Sequence, residues 1–316
     1  MCKLGLSYYH GRGVLKDPFK AKCWIKQAHD LGAERAEKIW NSLELWQYSG
    51  NCDLGFDLPV QAGARQKKNY IEPVTGMEFV WIPGKCFKMG CRDQDSHGCD
   101  RGESPVHKVC LDGFWMGKYE VTQEQWISLM DVNPSRFKGD RLPVEQVSYT
   151  ACWEFIQRLN RETGLGFSLP SEAQWEFACT SRGKKSSYAW GRDGFQPRAN
   201  CGGCNSGSFR GRTAPVGSFS PNRAGLYDMG GNVREWCRDI YDRDAYKNKA
   251  HGKKAYKRGD LDDENKDRGQ SHTPRVVRGG SFVDPVSSSC CRARQSALPG
   301  IHTYFMGFRL VVDRVD

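Results

Sequence analysis

Residues 225–237, GLYDMGGNVREWC, decide how the rest of the chain is organised. Gly230 and Gly231 let the backbone turn sharply, so that carbonyl groups can converge on one point. Asp228 and Glu235 offer carboxylate oxygens, and oxygen ligands of both kinds are what a hard cation such as calcium prefers. Large apolar residues on either side are expected to hold the turn against a core. The stretch predicts either a calcium site or a tight turn without metal, and we favour calcium.

Five other blocks accompany this stretch, and together they resemble one known family. They are similar, in the same order, to the blocks of the formylglycine-generating-enzyme (sulfatase-modifying-factor) family over roughly residues 71–313. The resemblance implies an α+β fold, a C-type-lectin-like domain with short strands and many loops. The residue pattern alone predicts only an α+β protein. The blocks are GMEFVWIPGKCFKMG, PVHKVCLDGFWMGKYEVTQEQW, LPVEQVSYTACWEFIQRLN, FSLPSEAQWEFA and VVRGGSF…GFRLV.

The resemblance also implies which atoms hold the calcium ion. In the family, the first Asn or Asp of the stretch, two backbone carbonyls and the Glu are the ligands. Carried over, they are Asp228, the carbonyls of Gly231 and Val233, and Glu235. Arg234 stands where the family usually has an aromatic residue, outside the ligand set. Structural calcium is therefore the expected cofactor.

The expected domains are a partial helical repeat over residues 1–47, a linker over residues 48–70 and the lectin-like domain over residues 71–316. The N-terminal part resembles a Sel1-like repeat. Such units stack in threes or more. A single one is therefore expected either to pack against the next domain or to follow further repeats upstream. Repeats of this kind bind other proteins, and a protein contact or a capping role are both open. The residues on the pattern are Leu4, Gly5, Tyr8, Gly11, Gly13, Val14, Asp17, Lys20, Ala21, Trp24, Ala28 and Gly32.

Composition and charge narrow the function classes. The formal net charge is +10, but much of the excess lies in residues 246–275, which mix both signs with few apolar residues. This stretch predicts a solvated insertion, so no nucleic-acid partner is expected. No run reaches the roughly 18 apolar residues of a membrane span, and the N-terminus lacks a signal-peptide pattern. The default expectation is a cytoplasmic protein, or a surface or secreted one if residues precede Met1.

The residues needed for the family's best-known reaction are missing. Oxidation of a substrate cysteine to formylglycine needs two closely spaced cysteines that bind copper(I) as thiolates and follow the RGGS block. Here residues 283–289, VDPVSSS, contain no cysteine. Cys291 matches a different family cysteine, and adjacent side chains such as Cys290 and Cys291 diverge in an extended strand. Neither copper nor formylglycine generation is expected. The seven scattered histidines also argue against the histidine cluster of the family's iron-dependent sulfoxide synthases.

The remaining cysteines leave several possibilities open. The chain has 14 cysteines, and four of them, Cys86, Cys91, Cys99 and Cys110, cluster in the sequence. They predict one or two bridges in an oxidising compartment. The CxxC of residues 201–204 is weak evidence for zinc, because no second CxxC accompanies it. Buried free thiols are the alternative for several of these residues.

Local patterns place short strands and helices along the domain. Alternation predicts strands over residues 77–83, 86–89, 106–111 and 114–121. Thr122 and Ser171 are expected to begin helices, with Gln125 and Gln174 at the capping-box position. Residues 148–160 predict an amphipathic helix. Its inward-facing residues are expected to be Cys152, Phe155, Ile156 and Leu159.

Residues 281–305 depart from this framework. They contain no Lys, Glu, Met or Trp and one Gln, although motifs that match the family enclose them. Here, motifs that match the family enclose a segment that differs from it. This arrangement resembles the variable proteins of diversity-generating retroelements, whose lectin-like domain ends in a similar block. Arg294, Pro299 and residues 307–309 fit that block, with His302 in place of its second arginine. The resemblance implies a hypervariable binding surface.

The predicted ligand-binding residues lie in this segment. Apolar and aromatic side chains in a loop bounded by Gly and Pro are typical interface anchors. The alternative for Ile301, Tyr304 and Phe305 is that they fill the core ahead of the last strand, as expected for Met306. The predicted residues are Phe282, Val283, Asp284, Val286, Ala293, Ser296, Ala297, Leu298, Ile301, His302, Thr303, Tyr304 and Phe305.

Two functions follow from the sequence. In the first, a non-catalytic, calcium-braced scaffold displays the C-terminal segment to a protein or other macromolecular ligand. In the second, the protein is a metal-dependent oxidase of the same family, with a different metal set drawn from Cys290, Cys291 and His302. The missing cysteine pair favours the first.

Overall fold

The computed structural model describes residues 6, 9, 18–30, 34–45, 69–91, 100–184, 186–191, 199–204, 206–250 and 272–315. In the N-terminal part, helix α1 spans Pro18–Asp30 and helix α2 spans Glu34–Ser42. They share a small apolar cluster that includes Ile25, Ala36, Ile39 and Leu45. Most of the Sel1-like pattern before residue 18 and the linker up to residue 68 lie outside the described residues, so both stay predictions.

Three small sheets, four α-helices and the loops between them form the rest of the described chain. The first sheet is antiparallel, in the order β1 (Asn69–Ile71), β2 (Glu78–Ile82), β5 (Phe114–Gly117), β10 (Val311–Val312). The second pairs β3 (Lys85–Met89) with β4 (His107–Leu111). The third has the order β8 (Gln295–Ala297), β7 (Arg275–Arg278), β6 (Arg234–Ile240), β9 (Met306–Gly307), and only its β6–β9 pair is parallel. This mixed fold of short strands and many loops is the predicted one.

Three helices begin at the residues that the sequence predicts. Helices α3 (Gln123–Ile127) and α5 (Glu172–Cys179) each begin with a capping box, at Thr122 and Ser171. Helix α4 (Tyr149–Thr163) begins at Ser148 and ends at Gly164, whose φ of 72° suits glycine. The four residues expected to face inward on α4 are all buried: Cys152, Phe155, Ile156 and Leu159.

Two apolar clusters fill the space between the helices and the sheets. In the first, the Trp126 ring stacks on Phe155 with centroids 5.3 Å apart, and Phe308 meets both rings edge-on. The second cluster includes Trp175 and Phe177 of α5. Met306 belongs to the first cluster and is 2% exposed, so it fills the core as predicted.

Two segments differ from the expectation. Strand β5 ends at Gly117 rather than at residue 121. The Lys118 N–H still donates to the Glu78 carbonyl of β2, but the Val121 N–H donates to the carbonyl of Phe308, which lies outside the strands. The start of the predicted insertion forms helix α6 (Ala245–Ala250), and Tyr246 is fully buried rather than solvated. Residues 251–271 of that insertion lie outside the described residues.

Disulfides link several parts of the described chain. Cys86 pairs with Cys110, Cys179 with Cys291, and Cys201 with Cys204. Cys91 is also disulfide-bonded, whereas Cys99 lies outside the described residues. The bridge predicted within the first cysteine cluster is confirmed, and the CxxC forms a disulfide rather than half of a zinc site. Among the described helices, none is long and apolar enough to cross a bilayer.

Candidate functional site

The glycine-rich turn adopts a backbone that most residues avoid. Asp228, Gly231 and Asn232 have positive φ angles of 55°, 93° and 61°. A Cβ on Gly231 would lie 2.3 Å from the carbonyl oxygen of Asn200. Only glycine therefore fits where these two loops touch.

Asn232 joins the turn to three other parts of the chain. Its amide nitrogen donates to the Glu120 carboxylate at 2.6 Å and to the Ala214 carbonyl at 3.2 Å. Its amide oxygen accepts from the Ala214 N–H at 2.8 Å and from the Asn200 side chain at 3.2 Å. Because this buried amide has partners on both ends, it fixes the relative positions of the loops. The sequence pattern predicts no such role for Asn232.

Glu235 forms a buried ion pair with Arg309. The guanidinium donates from Nη2 to Oε1 at 2.6 Å and from Nε to Oε2 at 2.7 Å, and Oε2 also accepts from Trp175 Nε1 at 2.7 Å. Arg309 also donates to the carbonyls of Gly117 and Tyr227. The acidic residue of the glycine-rich stretch and the arginine of the GFR block therefore meet, and both oxygens of the carboxylate have partners.

Around the turn, three carboxylates lie near one guanidinium, so negative charge exceeds positive charge. The carboxylates of Glu120, Asp228 and Glu235 all interact with the guanidinium of Arg309. Burial, together with the charges of Asp228 and Glu235, raises the pKa of Glu120 well above its usual value. Burial and the Glu235 charge raise the pKa of Asp228 to about 6, although Asp228 accepts from the Gly217 N–H at 2.7 Å. Bound protons or a cation would offset this excess.

The predicted ligands fit a calcium ion in part. They offer only oxygen atoms, which suit calcium, and the charge imbalance favours a positive ion. Against this, Arg309 already binds the Glu235 carboxylate at both oxygens. Calcium held by Asp228, Gly231, Val233 and Glu235 therefore stays a prediction.

The predicted binding segment divides into exposed and half-buried residues around two buried ones. Val283, Leu298 and Ile301 are 42%, 44% and 43% exposed. Ser296 and His302 are exposed as well. The half-buried residues are Val286, Ala293, Ala297, Thr303, Tyr304 and Phe305.

Phe282 and Asp284 are buried, so in this structure they support the segment from beneath, and their predicted contact with a ligand stays a prediction. Asp284 accepts from Arg234 at both oxygens and from Ser281 Oγ at 2.6 Å. Burial alone would raise the pKa of Asp284, but the hydrogen bonds from Arg234 and Ser281 hold it below its usual range. The Gly202 N–H donates to the Asp284 carbonyl at 2.7 Å. The contacts with Arg234 and Gly202 come from distant parts of the chain, which a local pattern does not reveal.

An aromatic cluster surrounds the end of the segment. We call it the aromatic face, and it consists of Phe137, Phe282, Tyr304 and Phe305. The Phe282 ring centroid lies 5.7 Å from that of Phe137 and 6.0 Å from that of Tyr304, and the Tyr304 and Phe305 centroids are 5.3 Å apart. The Arg136 guanidinium lies 4.8 Å from the Tyr304 centroid, within cation–π range. The sequence pattern predicts no role for Arg136 or Phe137. Its one indication of a site here is Phe137, an aromatic residue in a polar loop.

Glu145 holds the loop that carries Phe137. Its Oε1 accepts from the Phe137 N–H at 2.8 Å, and its backbone N–H donates to Ser135 Oγ at 3.1 Å. Its Oε2 has no hydrogen-bond partner among the described residues. Burial raises the pKa of Glu145 to about 7. The support of the aromatic face therefore includes a carboxyl group that titrates near neutral pH.

The thiols and the histidine of the alternative oxidase are not brought together among the described residues. Cys291 is fully buried and bonded to Cys179. Cys290 is a half-buried free thiol whose pKa is raised by burial. His302 is exposed, with its Nδ1 3.2 Å from the Gly300 carbonyl oxygen. No metal-binding group of such side chains occurs in the described ranges.

Residues 66–314 match the family described as sulfatase-modifying factor enzyme 1-like domain. The formylglycine-generating enzyme of Thermomonospora curvata is 28% identical, with 82% of this chain and 98% of that protein covered. Chaperone protein LppX of Paenibacillus barcinonensis is 30% identical, with 41% of this chain and 63% of LppX covered. Serine/threonine-protein kinase Pkn1 of Chlamydia trachomatis is 28% identical, with 75% of this chain and 38% of Pkn1 covered. The chain thus spans less than two thirds of the length of LppX and of Pkn1.

Solved structures share the fold. PvdO from Pseudomonas aeruginosa superposes with a TM-score of 0.67 at 24% identity, over 79% of this chain and 100% of PvdO. Treponema denticola variable protein 1 gives a TM-score of 0.61 at 23% identity, with the same coverage of 79% and 100%. The expected C-type-lectin-like fold is confirmed. Because the family match extends over residues 66–314, this chain belongs to the sulfatase-modifying factor enzyme 1-like family.

Proposed function

We propose that this chain is a non-catalytic ligand-binding protein that displays residues 282–305, which include most of the aromatic face, to a protein or other macromolecular ligand. One observation carries the proposal. Leu298 and Ile301 expose apolar side chains beside the half-buried Tyr304, while the buried Phe282 and Asp284 hold the segment in place. Exposed apolar groups beside aromatic rings are typical of interaction surfaces.

The glycine-rich turn acts as a brace in this proposal. Asn232 ties three loops together, and Arg234 reaches Asp284 inside the displayed segment. Calcium bound by the predicted ligands would add to the brace by offsetting the excess negative charge. A frame that is fixed from below allows the exposed side chains to change without loss of the fold.

The proposal includes variation of the displayed residues. Support comes from the unusual composition of residues 281–305 and from the fold shared with a variable protein of Treponema denticola. Sequencing this gene from sibling isolates tests the idea. We expect substitutions to concentrate at the exposed positions of the segment, while Phe282, Asp284 and Arg294 stay constant. A uniform segment, or substitutions spread evenly over the domain, would remove variable display from the proposal.

The enzymatic members of the family define the competing function. The test incubates the protein with copper(I), oxygen and a peptide that carries a sulfatase substrate cysteine, and mass spectrometry follows conversion to formylglycine. We expect no conversion, because Cys291 is held in a disulfide with Cys179 and leaves Cys290 without a neighbouring thiol among the described residues. Conversion at the rate of a formylglycine-generating enzyme run in parallel would contradict the proposal.

A further inference from the structure

A cavity of about 450 Å³ opens near the aromatic face, between residues 138–142 and residues 208–215. We call it the basic cavity. Its ionisable lining side chains are three cations, Lys138, Arg141 and Arg212, and one acid, Asp140. All four residues are exposed. The cavity therefore carries a positive charge at neutral pH.

The cations of the basic cavity are not neutralised within the described part of the chain. None of Lys138, Arg141 and Arg212 forms a salt bridge there. Lys138 Nζ donates to the Asn133 carbonyl at 2.9 Å, and Arg141 Nη2 lies 3.4 Å from the Val216 carbonyl oxygen. Both side chains keep further N–H groups for a ligand. Three neighbouring cations favour binding of an anion.

Thr213 gives an independent indication of a ligand. It lines the basic cavity and is 1% exposed. Its hydroxyl has no hydrogen-bond partner in the described ranges. A buried hydroxyl without a partner is destabilising, and an oxygen acceptor in the cavity would satisfy it once the Thr213 side chain rotates toward the ligand.

The walls of the basic cavity are held in place before a ligand arrives. The Val216 N–H donates to the Arg141 carbonyl at 2.9 Å, which joins the two loops. The Ala214 N–H donates to Asn232 Oδ1 at 2.8 Å, which fixes the second loop to the glycine-rich turn. A preformed site loses little conformational freedom on binding.

Arg212 connects the basic cavity to the proposed binding surface. Its guanidinium lies 5.7 Å from the ring centroid of Phe137. That ring lies 6.4 Å from Tyr304, centroid to centroid. A macromolecule seated on the aromatic face is therefore close enough to extend a side chain into the basic cavity.

We infer that the basic cavity binds carboxylate groups of an acidic peptide segment on the partner. The inference rests on the proposed function for the partner's identity. Arginine binds carboxylates with two parallel N–H groups, and the small number of cations suits one or two carboxylates. Asp140 also lines the cavity, so three cations beside one acid leave too little positive charge for the continuous phosphate backbone of a nucleic acid, and a peptide is favoured.

Fluorescence anisotropy with fluorescein-labelled hepta-glutamate tests the inference, with hepta-glutamine as the neutral probe. We expect saturable binding of hepta-glutamate at low salt and none of hepta-glutamine. Arg141→Gln and Arg212→Gln should each weaken binding about fivefold or more, because each removes a charge-assisted contact. Thr213→Val should weaken it about twofold through loss of the hydroxyl. Arg161→Gln, an exposed arginine at the end of α4, is the matched control and should leave the affinity unchanged.

Other outcomes would overturn the inference. These are equal affinity of the cavity variants and wild type, tighter binding of hepta-thymidylate than of hepta-glutamate, or displacement of the peptide by sulfate at an equal concentration. Thermal melting verifies that each variant is folded, and a variant that unfolds is replaced by Arg→Lys at the same position. Failure of this assay would leave the sequencing test of the proposed function untouched, so the two failures are distinguishable.

Discussion

Arg234 binds both carboxylate oxygens of Asp284, with Nε 2.8 Å from Oδ2. One ion pair therefore joins the glycine-rich turn to the displayed segment. The same guanidinium lies 5.0 Å from the ring centroid of Phe305. Arg234 is also the position where this chain departs from the resembled pattern, which usually has an aromatic residue. Because this position is an arginine, it holds the beginning of the segment through the ion pair with Asp284 and the end through the cation–π contact with Phe305.

Asp284→Asn should destabilise the protein. The substitution leaves a partly buried guanidinium without its counter-charge, so we expect the free energy of unfolding to fall by about 2–4 kcal/mol at pH 7. Urea denaturation measures the change. Because the pKa of Asp284 is lowered in the folded protein, the wild-type advantage is present at neutral pH and is lost as the pH falls through that lowered pKa.

The exposed pair of Glu154 and Arg158 on α4 is the matched control for the Asp284 variant. Its N–O distance is 2.6 Å, but both side chains contact solvent. Glu154→Gln should therefore cost only about 0–1 kcal/mol. An equal loss in the two variants would show that Asp284 is not a special anchor.

Glu145→Gln should change how stability depends on pH. The pKa of Glu145 rises from a usual value of 4.5 to about 7 on folding. The folded state therefore binds the proton more tightly, and wild-type stability falls between these two pH values. Relative to wild type, the variant should gain about 1–3 kcal/mol between pH 5 and pH 8 in urea denaturation. Glu162→Gln, an exposed carboxylate on α4, should show no such change, and parallel pH profiles for wild type and Glu145→Gln would refute the assignment.

Calcium should stabilise the protein. A ligand present at about 100 times its dissociation constant adds about 2.7 kcal/mol, so the melting temperature should rise when calcium replaces a chelator. Asp228→Asn should reduce this response. Magnesium is the control, since it prefers a stricter geometry and keeps its waters. Identical melting curves in calcium and chelator, with no calcium found by elemental analysis, would remove calcium from the account.

The free thiols should differ in reactivity. Burial raises the pKa of Cys152, Cys237 and Cys290, but only Cys290 is half-buried. Iodoacetamide should modify Cys290 slowly at pH 7.5 and faster at higher pH, and should reach the other two thiols only after unfolding. Peptide mass mapping measures each site. Modification of Cys291 before reduction would contradict its disulfide with Cys179.

The sequence predicted those features that short stretches determine. Thr122, Ser148 and Ser171 begin helices as expected, because an N-cap depends on residues within one turn. The end of a strand such as β5 depends on hydrogen bonds to distant carbonyls, and there the expectation was wrong. The prediction that Tyr246 is solvated was wrong for the same reason, because the residue is buried. Its charged neighbours suggested solvent, but the ring packs 4.6 Å from that of His107.

The candidate site was predictable only in part. The displayed segment was found from its composition, and Leu298 and Ile301 are exposed as a binding surface requires. The burial of Asp284 depends on Arg234, 50 positions away. The role of Phe137 depends on ring contacts with the far end of the chain. Such long-range contacts leave no periodic pattern in a single sequence.

A selection experiment shows whether the displayed segment forms a ligand-binding surface. One yeast-display library varies Val283, Ser296, Leu298, Ile301 and His302, and a matched library varies the α4 positions Thr150, Glu154, Gln157, Arg161 and Glu162. Both are selected against lysozyme as a model protein ligand. We expect folded binders from the first library and not from the second. Equal yields from the two libraries, or no binders from the first, would contradict this expectation.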